Sequence, residues 1–528
     1  MHNSLHKIVR SAVKLAIVSA CLSSVHAANL DLSTATIADI EAAMDKGALT
    51  SEKLVQLYLK RIEAYDQKGP KLNTVITLNK NALAEAKALD AERKAKGPRS
   101  PLHGIVVLAK DVYDTKDMPT SGGFKPMAKS QPDKDSFVID RLRKAGAIVL
   151  GKLNQSDWYG VASQGASTLQ GQVLNPYNLK KSPGGSSSGT GAAIAAWFGT
   201  VGLGSDTTGS IVIPSTLQNL VGISATHGLV SRTGMMWSSP SQENGGPMTR
   251  TVYDAAAVLD AIAGYDAADL ATQAGIGKIP AQPYTSFVSK DGLKGARIGI
   301  LREMVRKGPL HEEGTALFEK SIAEFKQAGA QIVDPAMTGL DLPESQLLAN
   351  APNYERADAI NAYLARLPET APIRTVDEMI AKGGSLVKPA IIDAAKLGSL
   401  DHNAELISAM KHQQVMRDAI VSVMDKYQLD AVILPYRTTV DDDVGLPPNS
   451  GGGRNESRNA IASYTGLPTI IVPGGFFASD GVPFAVQFIG KPFTESTLIK
   501  VASGYEAVGK HRKAPATTPA LAGETITY

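Results

Sequence analysis

Lys110, Ser186 and Ser210 are the residues of this chain whose types and setting could do chemistry together. Ser186 lies in the glycine-rich corner 184–191, and Ser210 ends the corner Asp206-Thr207-Thr208-Gly209, 24 residues further on. An Ala-rich apolar run separates the two. Glycine permits backbone shapes that other residues hold only with strain, so two such corners can be packed against each other and bring their serines together. A chain turning sharply at 206–210 points successive backbone N–H groups at one spot, which suits an anion or a tetrahedral oxyanion. A serine hydroxyl there is a nucleophile once something takes its proton. A second hydroxyl can pass that proton on, being both donor and acceptor. Lys110 follows the apolar residues Val107-Leu108-Ala109. Burial at a strand end disfavours the ammonium form and leaves an amine able to act as base. Each residue also has a plainer reading. Ser210 and Ser186 fit turn or helix-cap positions, and Lys110 could simply pair with Asp111.

Other chemistries fit less well. Gly185-x-Ser187-x-Gly189 has the form of a nucleophile elbow, but the segment before it, 175–182, is polar and broken by prolines where the elbow needs a strand. The same loop could open a phosphate-binding helix, yet it lacks the G-x-x-x-x-G-K-[ST] arrangement. The six histidines beyond residue 27 show no metal-ligand spacing, and the sole cysteine is Cys21. No catalytic metal and no cofactor are therefore expected. His227 is expected to be structural or near the rim of a pocket.

Around these residues, apolar runs alternate with helical patterns. Strands are expected at 103–108, 147–150, 201–204, 297–301, 331–334, 431–435, 469–473 and 483–489. Helical periodicity marks 36–66, 81–96, 136–145, 189–198, 252–263 and 315–328, and 337–427 reads as mostly helical. Strands that are nearly all apolar belong to a sheet covered on both faces, so the class is α/β. In the last strand Phe484, Val486 and Phe488 alternate with Ala485, Gln487 and Ile489. The Pro/Gly-rich stretch 275–295 is the nearest approach to a boundary, and 447–455 reads as a mobile loop. Neither divides the chain, and 28–528 is read as one domain.

Together these stretches resemble the amidase signature family. The pattern is a lysine after an apolar strand, a GGSSxG loop, then D-x-x-G-S-I-x-x-P; here these are Val107–Asp111, Gly184–Gly189 and Asp206–Pro214. Gly151-Lys152-Leu153-Asn154, Thr226-His227-Gly228-Leu229, Gly246-Pro247-Met248-Thr249-Arg250 and Gly466-Leu467-Pro468 match as well, over about residues 38 to 508. The resemblance implies the amidase signature fold, a large mixed β-sheet covered by helices on both faces. It implies a hydrolase of carbon–nitrogen bonds other than peptide bonds, with esterase activity alongside. In that scheme Ser210 is the acyl-forming nucleophile, Ser186 the bridging serine after a cis peptide bond, and Lys110 the base. Backbone N–H groups of Thr207, Thr208, Gly209 and Ser210 would form the oxyanion hole. The chain departs from the pattern at Thr208, where many members have glycine, and at Val212, Ser224 and Ala225. These departures lean toward a peptide-amidase-like branch acting on small or peptide-like amides. The alternatives are the glutamine-hydrolysing subunit of a tRNA-dependent amidotransferase and a binding homologue with a dead site. Substrate walls are expected from 340–460.

Residues 1–27 have the three parts of a secretory signal: a basic start at Lys7, Arg10 and Lys14, an apolar core at 15–22, and the small-x-small site Val25-His26-Ala27. Val18-Ser19-Ala20-Cys21 also resembles a lipobox, which would make Cys21 a lipid anchor; the ordinary cleavage site is preferred. Either way the expected location is periplasmic or secreted, without a membrane span. Three of the 54 Lys and Arg lie in this segment, leaving 51 against 51 Asp and Glu. A net charge of zero gives no case for a nucleic-acid partner. The expected partner is the amide substrate, and the expected state a monomer or homodimer.

Overall fold

The computed structural model describes residues 29–159, 165–398, 400–440, 442–445 and 459–527. The signal reading of 1–27, Cys21 and the loop 447–455 lie outside them. Eleven strands form one sheet. In chain order they are β1 (Val75–Leu78), β2 (Val106–Lys110), β3 (Ile148–Leu153), β4 (Val201–Asp206), β5 (Val221–Ser224), β6 (Asn244–Thr249), β7 (Arg297–Ile300), β8 (Gln331–Val333), β9 (Ala431–Pro435), β10 (Thr469–Phe476) and β11 (Pro483–Ile489). Their spatial order is β8-β7-β9-β11-β10-β5-β6-β4-β2-β3-β1. The sheet is mixed. β2 runs parallel to both β3 and β4, and β7 to β8 and β9, while β4–β6, β5–β6, β9–β11 and β10–β11 are antiparallel.

Burial shows why the strands read as apolar. Every residue of β2, β3, β4, β9 and β11 is buried, so both faces are covered. At β11 the alternation separates two cores. Phe484, Val486 and Phe488 join the main cluster with Phe318, Ile322 and Phe325 of the Glu312–Gln327 helix. Ile489 joins a second cluster with Met416, Ile420 and Met424 of the Ala404–Tyr427 helix. Burying such side chains stabilises by roughly 1.5–3 kcal/mol each, and a change of period would lose it on both sides. The main cluster runs from Leu30 to Tyr505 and includes Tyr284 and Leu293, so 275–295 contributes to the same core rather than parting it.

The elements largely follow the expected pattern, with two physical exceptions. The helical stretch 36–66 is two helices, Ile37–Asp45 and Ser51–Tyr65, because Gly47 turns at φ +70 and Thr50 caps the second helix through Lys53 N. The strands β1, β5 and β6 are not among those expected. β6 reads NGGPMT, and its glycines answer a crowding need: a Cβ on Gly246 would sit 2.1 Å from the carbonyl oxygen of Ile223 on β5. The helices expected in 337–427 are present, among them Pro352–Leu364 and Ala404–Tyr427.

Candidate active site

The parallel strands β2 and β4 lie side by side and carry Lys110 and Asp206 at their carboxyl ends, where open α/β sheets place their chemistry. The loop holding Ser186 reaches this edge from the β3 side. It leads into the Ser188–Ala195 helix, whose start must come very close to β3. A Cβ on Gly189 would lie 2.3 Å from the carbonyl oxygen of Asn154, which instead accepts the Gly189 amide at 2.9 Å. Ser187 clasps the loop to β4, donating its hydroxyl to the Ser205 carbonyl and accepting the Ser205 amide, each at 3.2 Å. Its role is structural, in keeping with the rejected elbow. The Gly185–Ser186 peptide bond is cis. Gly184 packs on Ile213 and Pro214, and Gln218 donates to the Pro183 carbonyl at 2.9 Å. The two glycine corners are thereby held together.

Lys110 is completely buried, Ser186 is 4% exposed and Ser210 7%. The Lys110 Nζ lies 2.6 Å from Ser186 Oγ and 2.8 Å from Ser205 Oγ. Burial pulls its pKa down to about 7, while the negative charges of Glu243 and Asp206 act the other way. The plainer reading, in which Asp111 neutralises Lys110, is met by a different lysine. Lys152 on β3, fully buried, takes Asp111 Oδ1 at 3.0 Å and donates to Thr120 Oγ1 at 2.8 Å. A lysine inside an all-apolar strand must find an acid, and that was the signal available in Gly151-Lys152-Leu153-Asn154.

The corner before Ser210 is organised by Asp206. Its Oδ1 accepts the Gly209 amide at 2.7 Å and the Ser463 hydroxyl at 2.7 Å; its Oδ2 accepts the Ile211 amide at 3.0 Å. The four amides expected to hold the oxyanion differ in what they meet here. The Gly209 N–H is turned onto Asp206, whereas those of Thr207, Thr208 and Ser210 have no acceptor among the described residues. The hydroxyls of Ser186 and Ser210 share no hydrogen bond among the described residues. Sequence reasoning also missed Ser205 and Glu243. The latter is a fully buried acid whose Oε2 accepts the Thr207 hydroxyl at 2.6 Å, and burial pushes its pKa up. No motif marks it. His227 is half-buried and packs on Gly466, its pKa pulled down to about 4 by burial.

The site thus sets a buried lysine 2.6 Å from the serine of one glycine corner, with a second serine on the next, and comparison with known proteins gives the family. The Amidase family model matches residues 53–499, and the chain belongs to the amidase signature family. It is 32% identical over 504 residues to a probable amidase of Arabidopsis thaliana, covering 91% of each. It is 30% identical over 491 residues to a glutamyl-tRNA(Gln) amidotransferase subunit of Thioalkalivibrio sulfidiphilus, covering 91% of this chain and 98% of that one. Among solved structures it resembles the native peptide amidase of Stenotrophomonas maltophilia with a TM-score of 0.80 and 35% identity, covering 92% of this chain and 99% of that one. The large mixed sheet flanked by helices is the arrangement these structures share.

Proposed function

We propose that this amidase cleaves small or peptide-like amides through an acyl-enzyme on Ser210, with Ser186 and Lys110 moving the proton. The observation that carries the reading is the buried Lys110 Nζ, 2.6 Å from Ser186 Oγ, beside the corner that presents Ser210. Neutral Lys110 accepts a proton from Ser186 as Ser186 takes one from Ser210. The Ser210 oxygen then attacks the amide carbon, and the amides of Thr207, Thr208 and Ser210 receive the oxyanion. The proton returns through Ser186 to the leaving nitrogen, which departs as ammonia or amine. Water follows the same route, breaks the ester to Ser210 and frees the acid. The relay requires the Ser186 and Ser210 hydroxyls, which share no hydrogen bond among the described residues, to meet once substrate is bound.

Likeness to the peptide amidase supports a peptide-like acyl side, and likeness to the amidotransferase subunit supports glutamine as the rival substrate. Esters, being easier acyl donors, should also be cleaved. Residues 1–27 keep their reading as an export signal, on their basic, apolar and small-residue order.

The test is a panel of peptide amides, aryl amides, aliphatic amides, esters and glutamine, assayed by released amine or alcohol, with Ser210→Ala and Lys110→Ala beside the wild type. Each substitution should lower kcat by at least ~10⁴-fold while the protein stays folded. Near-normal turnover by Ser210→Ala would refute the nucleophile, and glutamine as the preferred substrate would favour the rival.

A further inference from the structure

Thr207, beside Asp206 in the oxyanion corner, is gripped at its carbonyl and its hydroxyl by consecutive residues of a neighbouring segment. Its carbonyl oxygen accepts Gln242 Nε2 at 2.9 Å, and its hydroxyl donates to Glu243 Oε2 at 2.6 Å. Gln242 is itself fixed, because Gln413 Nε2 donates to its Oε1 at 2.7 Å and also to the Ala349 carbonyl at 3.0 Å. Glu243 Oε2 also takes the Ser238 amide at 3.4 Å. Thr207, Gln242, Glu243 and Gln413 are all buried, at 5, 1, 0 and 5% exposure. Burying an acid and two amides is costly, and apolar side chains of like size would pack there at lower cost.

The geometry of one peptide unit says what the grip does. The Thr207 carbonyl and the Thr208 N–H belong to the same planar trans peptide and point in opposite directions. A donor that holds the carbonyl on one side therefore aims the N–H to the other. Gly209 N–H is already committed to Asp206, so the Thr208 amide is a donor whose direction Gln242 sets through this unit. We propose that Gln242 and Glu243 are positioning residues that clamp Thr207 and thereby aim the Thr208 amide at the oxyanion. The inference rests on the Ser210 acyl-enzyme reading.

The experiment uses the full-length enzyme and its best substrate from the amide panel, with active sites titrated by a fluorophosphonate. Gln242→Met removes the donor at nearly constant shape. Thr207→Val removes the hydroxyl that reaches Glu243, and Thr207→Ser restores it. Gln242→Met and Thr207→Val should each lower kcat per titrated site about 10- to 100-fold, below the ~10²–10³ for loss of a whole oxyanion donor. KM should change less than threefold, and Thr207→Ser should recover most of the rate. Phosphonylation, which also builds negative charge on oxygen, should slow in step. Gln242→Met and Thr207→Val with kcat per titrated site within twofold of wild type would overturn the clamp, even if their melting temperatures fell. Turnover surviving in Ser210→Ala would instead remove the reading beneath it, so the two failures are distinct.

Discussion

At the scale of single residues, Lys110 is set apart by what surrounds its amine. Two hydroxyls lie within 2.8 Å, and burial is the largest influence on its proton affinity, drawing its pKa from the ordinary 10.5 to about 7. Asp206 and Glu243 are the acids that oppose the shift, and Asp111 is taken by Lys152. The sign follows directly. Above about pH 7 the amine is neutral and can accept a proton; below it the ammonium form cannot. Log kcat/KM should therefore rise with a slope near one up to about pH 7 and level off above. Lys110→Arg, charged at every accessible pH, should stay inactive across the range. A wild-type profile flat down to about pH 5 would exclude Lys110 as the base.

At the scale of an element, the turn between β4 and the Val212–Leu217 helix depends on one carboxylate. Asp206 accepts amides of Gly209 and Ile211 and a hydroxyl from Ser463 on the Ile461–Thr465 helix. Those amides would otherwise be unsatisfied at a buried helix start. Asp206→Asn keeps the size but faces one of these donors with an NH₂ group. We expect a loss of about 1–3 kcal/mol in denaturant unfolding and a fall in kcat larger than any rise in KM, since the corner is misplaced rather than the substrate contacts. An Asp206→Asn enzyme with wild-type kcat and midpoint would show that the turn holds itself.

At the scale of the whole molecule, the two ends of the described chain are tied to the sheet's flank. Asn29–Asp31 pairs antiparallel with Thr525–Thr527. Nearby, Glu524 meets Arg61 at 2.9 Å, with both side chains almost fully buried. The Arg61 guanidinium stacks over Trp197 at 3.4 Å and donates to the carbonyl of Ala196, at the end of the helix that follows the Ser186 loop. Removing one partner strands a buried charge, so Glu524→Ala should cost about 3–5 kcal/mol of stability. Arg61→Leu combined with Glu524→Leu should cost less than either single change. Folded enzyme should keep its kcat per active site throughout, because the tie lies away from the chemistry. Chemical denaturation with active-site titration reads both quantities.

Much of this was legible in the residues. Lys110, Ser186 and Ser210 stand in stretches whose order and composition are specific, and strands such as 483–489 carry their burial in their alternation. The class of reaction and the two-sided sheet follow from those local patterns. What the chain alone left open is decided by contacts between residues far apart in sequence. β6 became visible only because a neighbouring strand crowds its glycines. Asp111 has two buried lysines close by, and only the packing of β3 against β2 gives it to Lys152. Asp206 claims the Gly209 amide, and Gln242, Glu243 and Ser205 enter the site through no motif at all. A local sequence pattern records what each segment needs buried; which donor meets which acceptor is settled only when the segments are packed together.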